Sequence, residues 1–174
     1  PRAMLEECYI EASSRIFLKS QENNNMFQGM GTTLVVAYIH EEEIYIANVG
    51  DSRAYFFNNQ YLWQMTEDHS LVNEHIRAGL LKDSEAKDFQ AKNIITRSVG
   101  FERNVRCDII KKGLSVGDHF LLCSDGLCGL VDDREIHEIC KNNPKEKAVK
   151  MCVDRAKEEG GDDNITTIVL DVEH

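Results

Sequence analysis

At 174 residues the chain can build one domain with a substantial core and is short for two; its 42% hydrophobic and 29% charged content is that of an ordinary globular protein. A net charge of −10 argues against nucleic-acid backbones and anionic membrane surfaces as partners. No apolar run approaches the roughly 20 residues that span a bilayer, and PRAMLEECYI lacks the apolar centre of a signal peptide.

Leu5, Tyr9, Ala12 and Ile16 recur at helical spacing and predict an amphipathic helix over residues 3–20, broken by 23-NNNMFQGMG-31. Two β-type runs follow, 33-TLVVAYIH-40 and 44-IYIANV-49, joined by the acidic tip Glu41-Glu42-Glu43. A second hairpin is expected from 53-RAYFF-57 and 61-YLWQM-65 across Asn58-Asn59-Gln60, with Trp63 in its core. The run from 70 to 92 turns polar and helical, with helices expected at 73–81 and at 84–92, the latter capped by Ser84. Strands are expected at 93–99, 105–112 and 119–124, a helix at 133–142, and a helix from Pro144 to Gly160-Gly161. The chain closes on a strand, 165-ITTIVLDV-172. Runs such as TLVVAYI are apolar on both faces, so each sheet needs cover on two sides. The expected class is α+β, a sandwich of two antiparallel β-sheets flanked by α-helices, in one domain over residues 1–174.

Two apolar runs end abruptly in acid: HFLLCSDG brings Asp125 to a strand end, and ANVGDSR does the same for Asp51. Asp68 in TEDHS and Asp163 in GGDDNIT occupy similar settings. Each one alone reads as a turn residue. Together, without a basic cluster to pair them, they form an oxygen-rich set that suits a hard ion such as Mg²⁺ or Mn²⁺. The six cysteines (Cys8, Cys107, Cys123, Cys128, Cys140, Cys152) contain no CxxC pair and mostly sit on apolar stripes. They read as reduced core thiols of a cytoplasmic protein, ahead of a zinc site.

In order along the chain stand GMGTT (29–33), NVGDSRAY (48–55), TEDHS (66–70), IRAGLLKDSEA (76–86), NIITRSVG (93–100), LLCSDGL (121–127) and GGDDNIT (160–166). This ordered set resembles the metal-dependent protein phosphatase family, the type 2C serine/threonine phosphatases, and most closely its bacterial branch. The resemblance implies hydrolysis of phosphoserine or phosphothreonine in proteins by water activated between two Mn²⁺ or Mg²⁺ ions. It implies Asp125 and Asp163 as metal ligands, Asp51 as ligand of a third, weaker ion, and Ser124, Gly126, Asn164 and Gly50 as supporting residues. Residues 72–92 match the family's helical flap beside the substrate site. The implied partners are a phosphoprotein substrate and a cognate serine/threonine kinase, with no nucleic acid and no membrane.

The family pattern opens with strands, a phosphate-gripping arginine, an acidic ligand and a DG-x-GG element; no DG-x-GG occurs here. Residues 1–20 match the helix that follows that element, and the first residue is Pro rather than Met. The expectation is therefore a chain lacking the N-terminal strands and half of the ligand set, with weak metal binding and little activity by itself. A catalytically inactive pseudophosphatase that holds phosphoproteins is the rival reading, and a purely structural divalent-cation protein is a third. Among other polar residues, His69 reads as a hydrogen-bonding residue more than a general acid. Arg53 and Arg97 read as charge partners of nearby aspartates. Cys123 and Cys128 read as core filling around the acidic turn.

Overall fold

Turn chemistry folds the middle of the chain into two hairpins. Strands β1 (Leu34–His40) and β2 (Glu43–Val49) meet at a tip where Glu41 takes a φ of 54°. Strands β3 (Arg53–Phe57) and β4 (Leu62–Gln64) are joined by an Asx-type turn: the amides of Gln60 and Tyr61 donate to Asn58 Oδ1 at 2.8 and 3.0 Å. The remaining elements are α1 (Arg2–Ser20), α2 (Leu71–Arg77), β5 (Asp108–Gly113), β6 (His119–Cys123), α3 (Asp125–Cys128), α4 (Asp133–Asn142), α5 (Lys145–Glu158) and β7 (Thr167–Asp171). Short 3₁₀ turns occupy Asn25–Phe27 and Asp83–Asp88. The structure is a computed structural model and describes residues 1–22, 25–91 and 93–173. Asn23-Asn24 of the expected helix break and Lys92, at the end of both the expected helix 84–92 and the 72–92 insert, lie outside the described residues.

The strands form two sheets, ordered β1-β2-β5 and β4-β3-β6-β7. In the first, the end of β5 meets the start of β2: the Leu114 amide donates to Glu42 O at 2.7 Å, and Lys111 Nζ donates to Glu43 Oε1 at 2.6 Å. That places β5 antiparallel to β2, as the hairpin places β1. In the second, β6 lies between β3 and β7, both antiparallel to it, with Leu121 opposite Tyr55 on one side and Val169 on the other.

The chain divides into two compact units, one of residues 1–36, 47–51 and 67–109, the other of 37–46, 52–66 and 110–174. In the second unit the β6 alternation sets the layers. Tyr55, Phe57, Leu121 and Cys123 bury one sheet face against Leu127, Ile136, Ile139, Cys140, Ala148, Cys152 and Ala156 of α3, α4 and α5. Each large side chain so buried contributes about 1.5–3 kcal/mol of transfer free energy. The intervening Phe56 and Phe120 face the other way, beneath Lys112 Nζ of β5 at 4.5 and 5.8 Å from their ring centroids. Asp132 caps α4 by accepting from the Arg134 amide at 3.0 Å. Beyond α5, Gly160 and Gly161 take positive φ, as its expected stop requires.

In the first unit the buried stripe of α1 is Leu5, Tyr9, Ser13 and Ser20, while Ala12 and Ile16 are half-buried. Polar anchors turn the helix onto Ser13. Its Oγ donates to Glu102 O at 2.6 Å and accepts from the Gly100 amide at 2.9 Å. One turn earlier the Tyr9 hydroxyl reaches Ala47 O at 2.8 Å and Leu34 O at 3.0 Å, and burial pushes its pKa well above the ordinary phenol value.

Several expectations are corrected. Residues 93–99 form no strand, only isolated bridges of Ile95 to Ser70 and of Val99 to Thr32 and to Glu102. Ser70 caps α2, so the partner segment turns away before a ladder can extend. Helix α2 spans 71–77, not 73–81. The expected helix at 84–92 is a 3₁₀ turn over 83–88 with Lys82 instead of Ser84 at the N-cap position, its backbone amide donating to Glu85 Oε2 at 2.9 Å. Strand β5 begins at Asp108, not Val105. Trp63 is 54% exposed because β4 is a three-residue edge strand with β3 as its one neighbour. In the first hairpin β2 is buried from Ile44 to Val49, whereas β1, at a sheet edge, is half-buried from Leu34 to Tyr38.

Candidate metal centre

The apolar run of β6 ends where the sequence reading places it. Cys123 is the last strand residue, Ser124 turns the chain, and Asp125 opens the short helix α3. The segment just before β7 comes alongside, and Ser124 ties the two together. Its Oγ donates to Asn164 O at 2.8 Å and accepts from the Thr166 amide at 3.0 Å, while its own amide donates to Thr166 O at 3.1 Å. Gly126 closes the seam: a Cβ there would stand 2.5 Å from Asn164 O, so only glycine lets the loop approach this near.

Asp125, at the start of α3, and Asp163, in the segment before β7, thus sit on stretches of chain held together by three hydrogen bonds, and both are exposed. One Asp163 oxygen, Oδ1, accepts from the Asn164 amide at 2.6 Å. Among the described residues no group of three or more His, Cys, Asp or Glu side chains gathers closely enough to hold an ion by itself. The donor chemistry at this seam fits a hard divalent cation: two carboxylates, backbone carbonyls, and no nitrogen or sulfur ligand. The neighbouring thiols do not compete. Cys128 Sγ donates to Ser124 O at 3.6 Å, and the Cys128 hydrogen bond together with burial pushes the Cys123 thiol upward, away from thiolate.

Asp51 belongs to the other unit, in a turn built on Gly50. Gly50 has a φ of +108°, and a Cβ on it would lie 2.4 Å from Thr33 Cγ2. Asn48 Nδ2 donates to Gly50 O and to Glu67 O, each at 3.2 Å. His69 is buried and hydrogen-bonded, and Arg97 NH1 donates to Asp108 Oδ1 at 3.1 Å. Burial would push the Asp108 carboxyl up, but the His69 hydrogen bond and the Arg97 charge outweigh it and hold it below the usual carboxylate range. Arg53 NH1 donates to Tyr55 Oη at 3.0 Å and lies 3.8 Å from Asp133 Oδ1, so both arginines have acidic neighbours. Sequence reasoning missed the Ser124 tie; the serine before Asp-Gly was the available signal.

Comparison with known proteins decides the family. The chain is 40% identical over 169 residues to the serine/threonine phosphatase stp of Listeria monocytogenes, covering 96% of this chain and 66% of that relative. It superposes on the crystal structure of serine/threonine phosphatase Stp1 from Staphylococcus aureus with a TM-score of 0.94 and 35% identity, covering 99% of this chain and 68% of that one. The chain belongs to the protein phosphatase 2C family. The family model itself matches residues 2–77. A second structure, the catalytic domain of the serine/threonine protein phosphatase PstP in complex with two manganese ions, matches with a TM-score of 0.89 and 28% identity over 99% of this chain and 71% of that one. The chain spans a little under two thirds of the length of the Listeria relative. Its α+β fold of two antiparallel sheets and helices is that of these phosphatases. Among the described residues no helix is long and apolar enough to cross a membrane.

Proposed function

We propose that this protein hydrolyses phosphoserine and phosphothreonine in cytoplasmic proteins, with Asp125 and Asp163 as ligands of Mn²⁺ or Mg²⁺. The observation that supports the reading is the Ser124 seam, which joins the segments carrying the exposed Asp125 and Asp163, in a chain 40% identical to a named serine/threonine phosphatase. The ions, when bound, supply Lewis acidity toward the phosphoryl group and the attacking water. The chain's part is to hold Asp125, just past the buried strand β6, beside the segment that carries Asp163, with Gly126 allowing the close approach to Asn164. Two ions are proposed, and Asp51 is the proposed ligand of a third, held more weakly. The net charge of −10 is compatible with an anionic substrate once cations are bound.

We read residues 72–92 as a substrate-selecting flap, and a serine/threonine kinase acting on the same phosphoproteins as the functional counterpart. The pseudophosphatase reading separates from the enzyme by one assay. The protein, expressed at its full gene-encoded length, should release phosphate from a phosphothreonine peptide in the presence of manganese and not in the presence of a chelator. Peptide binding without phosphate release would establish the rival.

A further inference from the structure

His69 grips one residue with both its backbone and its ring. The Gly50 amide donates to His69 Nδ1 at 3.0 Å, and the His69 amide donates back to Gly50 O at 3.0 Å. Both backbone polar groups of Gly50 are therefore engaged by a single side-chain-bearing residue, 19 positions away in sequence. A backbone N–H can only donate, so Nδ1 must present its lone pair. The ring is then neutral with its proton on Nε2. That proton points to Asp108 Oδ2, 2.9 Å away. Arg97 NH1 lies 3.0 Å from the same Nε2, which leaves the carboxylate and the Arg106 carbonyl, at 3.1 and 3.2 Å, as the acceptors for the guanidinium.

The outcome is a chain of fixed contacts from Arg97 through Asp108 and His69 to Gly50, whose next residue is Asp51. His69 is 6% exposed, so water does not substitute for either ring contact. Gly50 needs such a clamp. Its φ of +108° is open to glycine alone, and glycine has the widest choice of alternative conformations. We propose that His69 is a positioning residue for Asp51: as a neutral Nε2–H imidazole it locks the Gly50 peptide and so sets where the Asp51 carboxylate is presented. This inference rests on reading Asp51 as a ligand of the weaker ion, and it assigns His69 no contact with substrate or reacting atoms.

Two near-isosteres separate the two ends of the ring. In His69→Asn the amide oxygen falls where Nδ1 stood and keeps the Gly50 acceptor while losing the Asp108 contact. In His69→Gln the amide nitrogen falls where Nε2 stood and keeps the Asp108 contact while losing the Gly50 acceptor. Amide hydrogen exchange at Gly50 and manganese titration of phosphopeptide turnover are measured on the full-length protein and both variants. We expect Gly50 exchange at least roughly tenfold faster in His69→Gln than in His69→Asn. The half-activating manganese concentration should rise in His69→Gln at little-changed peptide KM. Equal behaviour of the two variants would overturn the proposal, because a packing role does not distinguish the ends. Nitrogen-15 shifts of the wild-type imidazole decide the matter even where a variant fails to fold: a proton on Nδ1 is incompatible with the clamp. Exchange and tautomer are read without turnover, so an inactive wild type would count against the phosphatase reading and leave this one standing on its own measurements.

Discussion

A Cβ placed on Gly126 would stand 2.5 Å from the carbonyl oxygen of Asn164. Gly126 lies in α3, directly after β6, and Asn164 in the segment preceding β7, and each adjoins an aspartate proposed to bind metal. Gly126→Ala must push these stretches apart or strain them, at about 1–3 kcal/mol of overpacking. The expected result is a lowered melting temperature together with a higher manganese concentration for half-maximal turnover. A variant with wild-type melting and wild-type manganese response would show that the close approach is dispensable.

Gly50→Ala carries two separate penalties. Its φ of +108° costs an L-residue about 1–3 kcal/mol, and the new methyl meets Thr33 Cγ2 at 2.4 Å. Pairing it with Thr33→Gly removes the side-chain obstruction but not the backbone penalty. Chemical denaturation should therefore show the double variant recovering part, not all, of the lost stability.

Ser13 is fully buried and satisfies two groups, Glu102 O and the Gly100 amide. Ser13→Ala leaves a buried amide without its acceptor and should cost about 1–3 kcal/mol in urea denaturation. Ala12, on the neighbouring face of α1, makes no such bond, and Ala12→Ser should change stability by less than about 0.5 kcal/mol. Reversal of that ranking would mean that the helix is held by its apolar stripe alone.

Asp108 sets an acid limit. Its folded pKa lies below the unfolded carboxylate value of about 3.9, so its contribution to stability is present above that value. The contribution is lost as pH falls through the folded pKa. Unfolding free energy measured from pH 6 down to pH 3 should fall more steeply in the wild type than in Asp108→Asn, the two curves converging at the acid end. Parallel curves would remove Asp108 from the acid response.

Much of the framework was legible because local patterns and tertiary demands agree. The β6 run is apolar, is a central strand, and ends at Ser-Asp-Gly as its sequence reads. The α4 and α5 boundaries follow from Asp132, Pro144 and Gly160-Gly161, each a local backbone signal. What failed depended on neighbours. Residues 93–99 have β-branched composition, yet a strand needs a partner of equal length, and the segment at Ser70 turns into α2. Trp63 has the side chain of a core residue but stands on an outer strand. The aspartates could be picked out by type and position, whereas the hydrogen bonds that place them, from Ser124 and His69, join residues 40 and 19 positions apart and leave no periodic trace.

Asp125 and Asp163 are proposed to hold the metal of a phosphoprotein phosphatase. Manganese-dependent hydrolysis of a phosphothreonine peptide by the full-length protein, beside Asp125→Asn and Asp163→Asn, tests this assignment most directly. Turnover should vanish with chelator and fall by at least roughly 100-fold in each variant, with melting temperatures close to wild type. Undiminished turnover in both variants would contradict it.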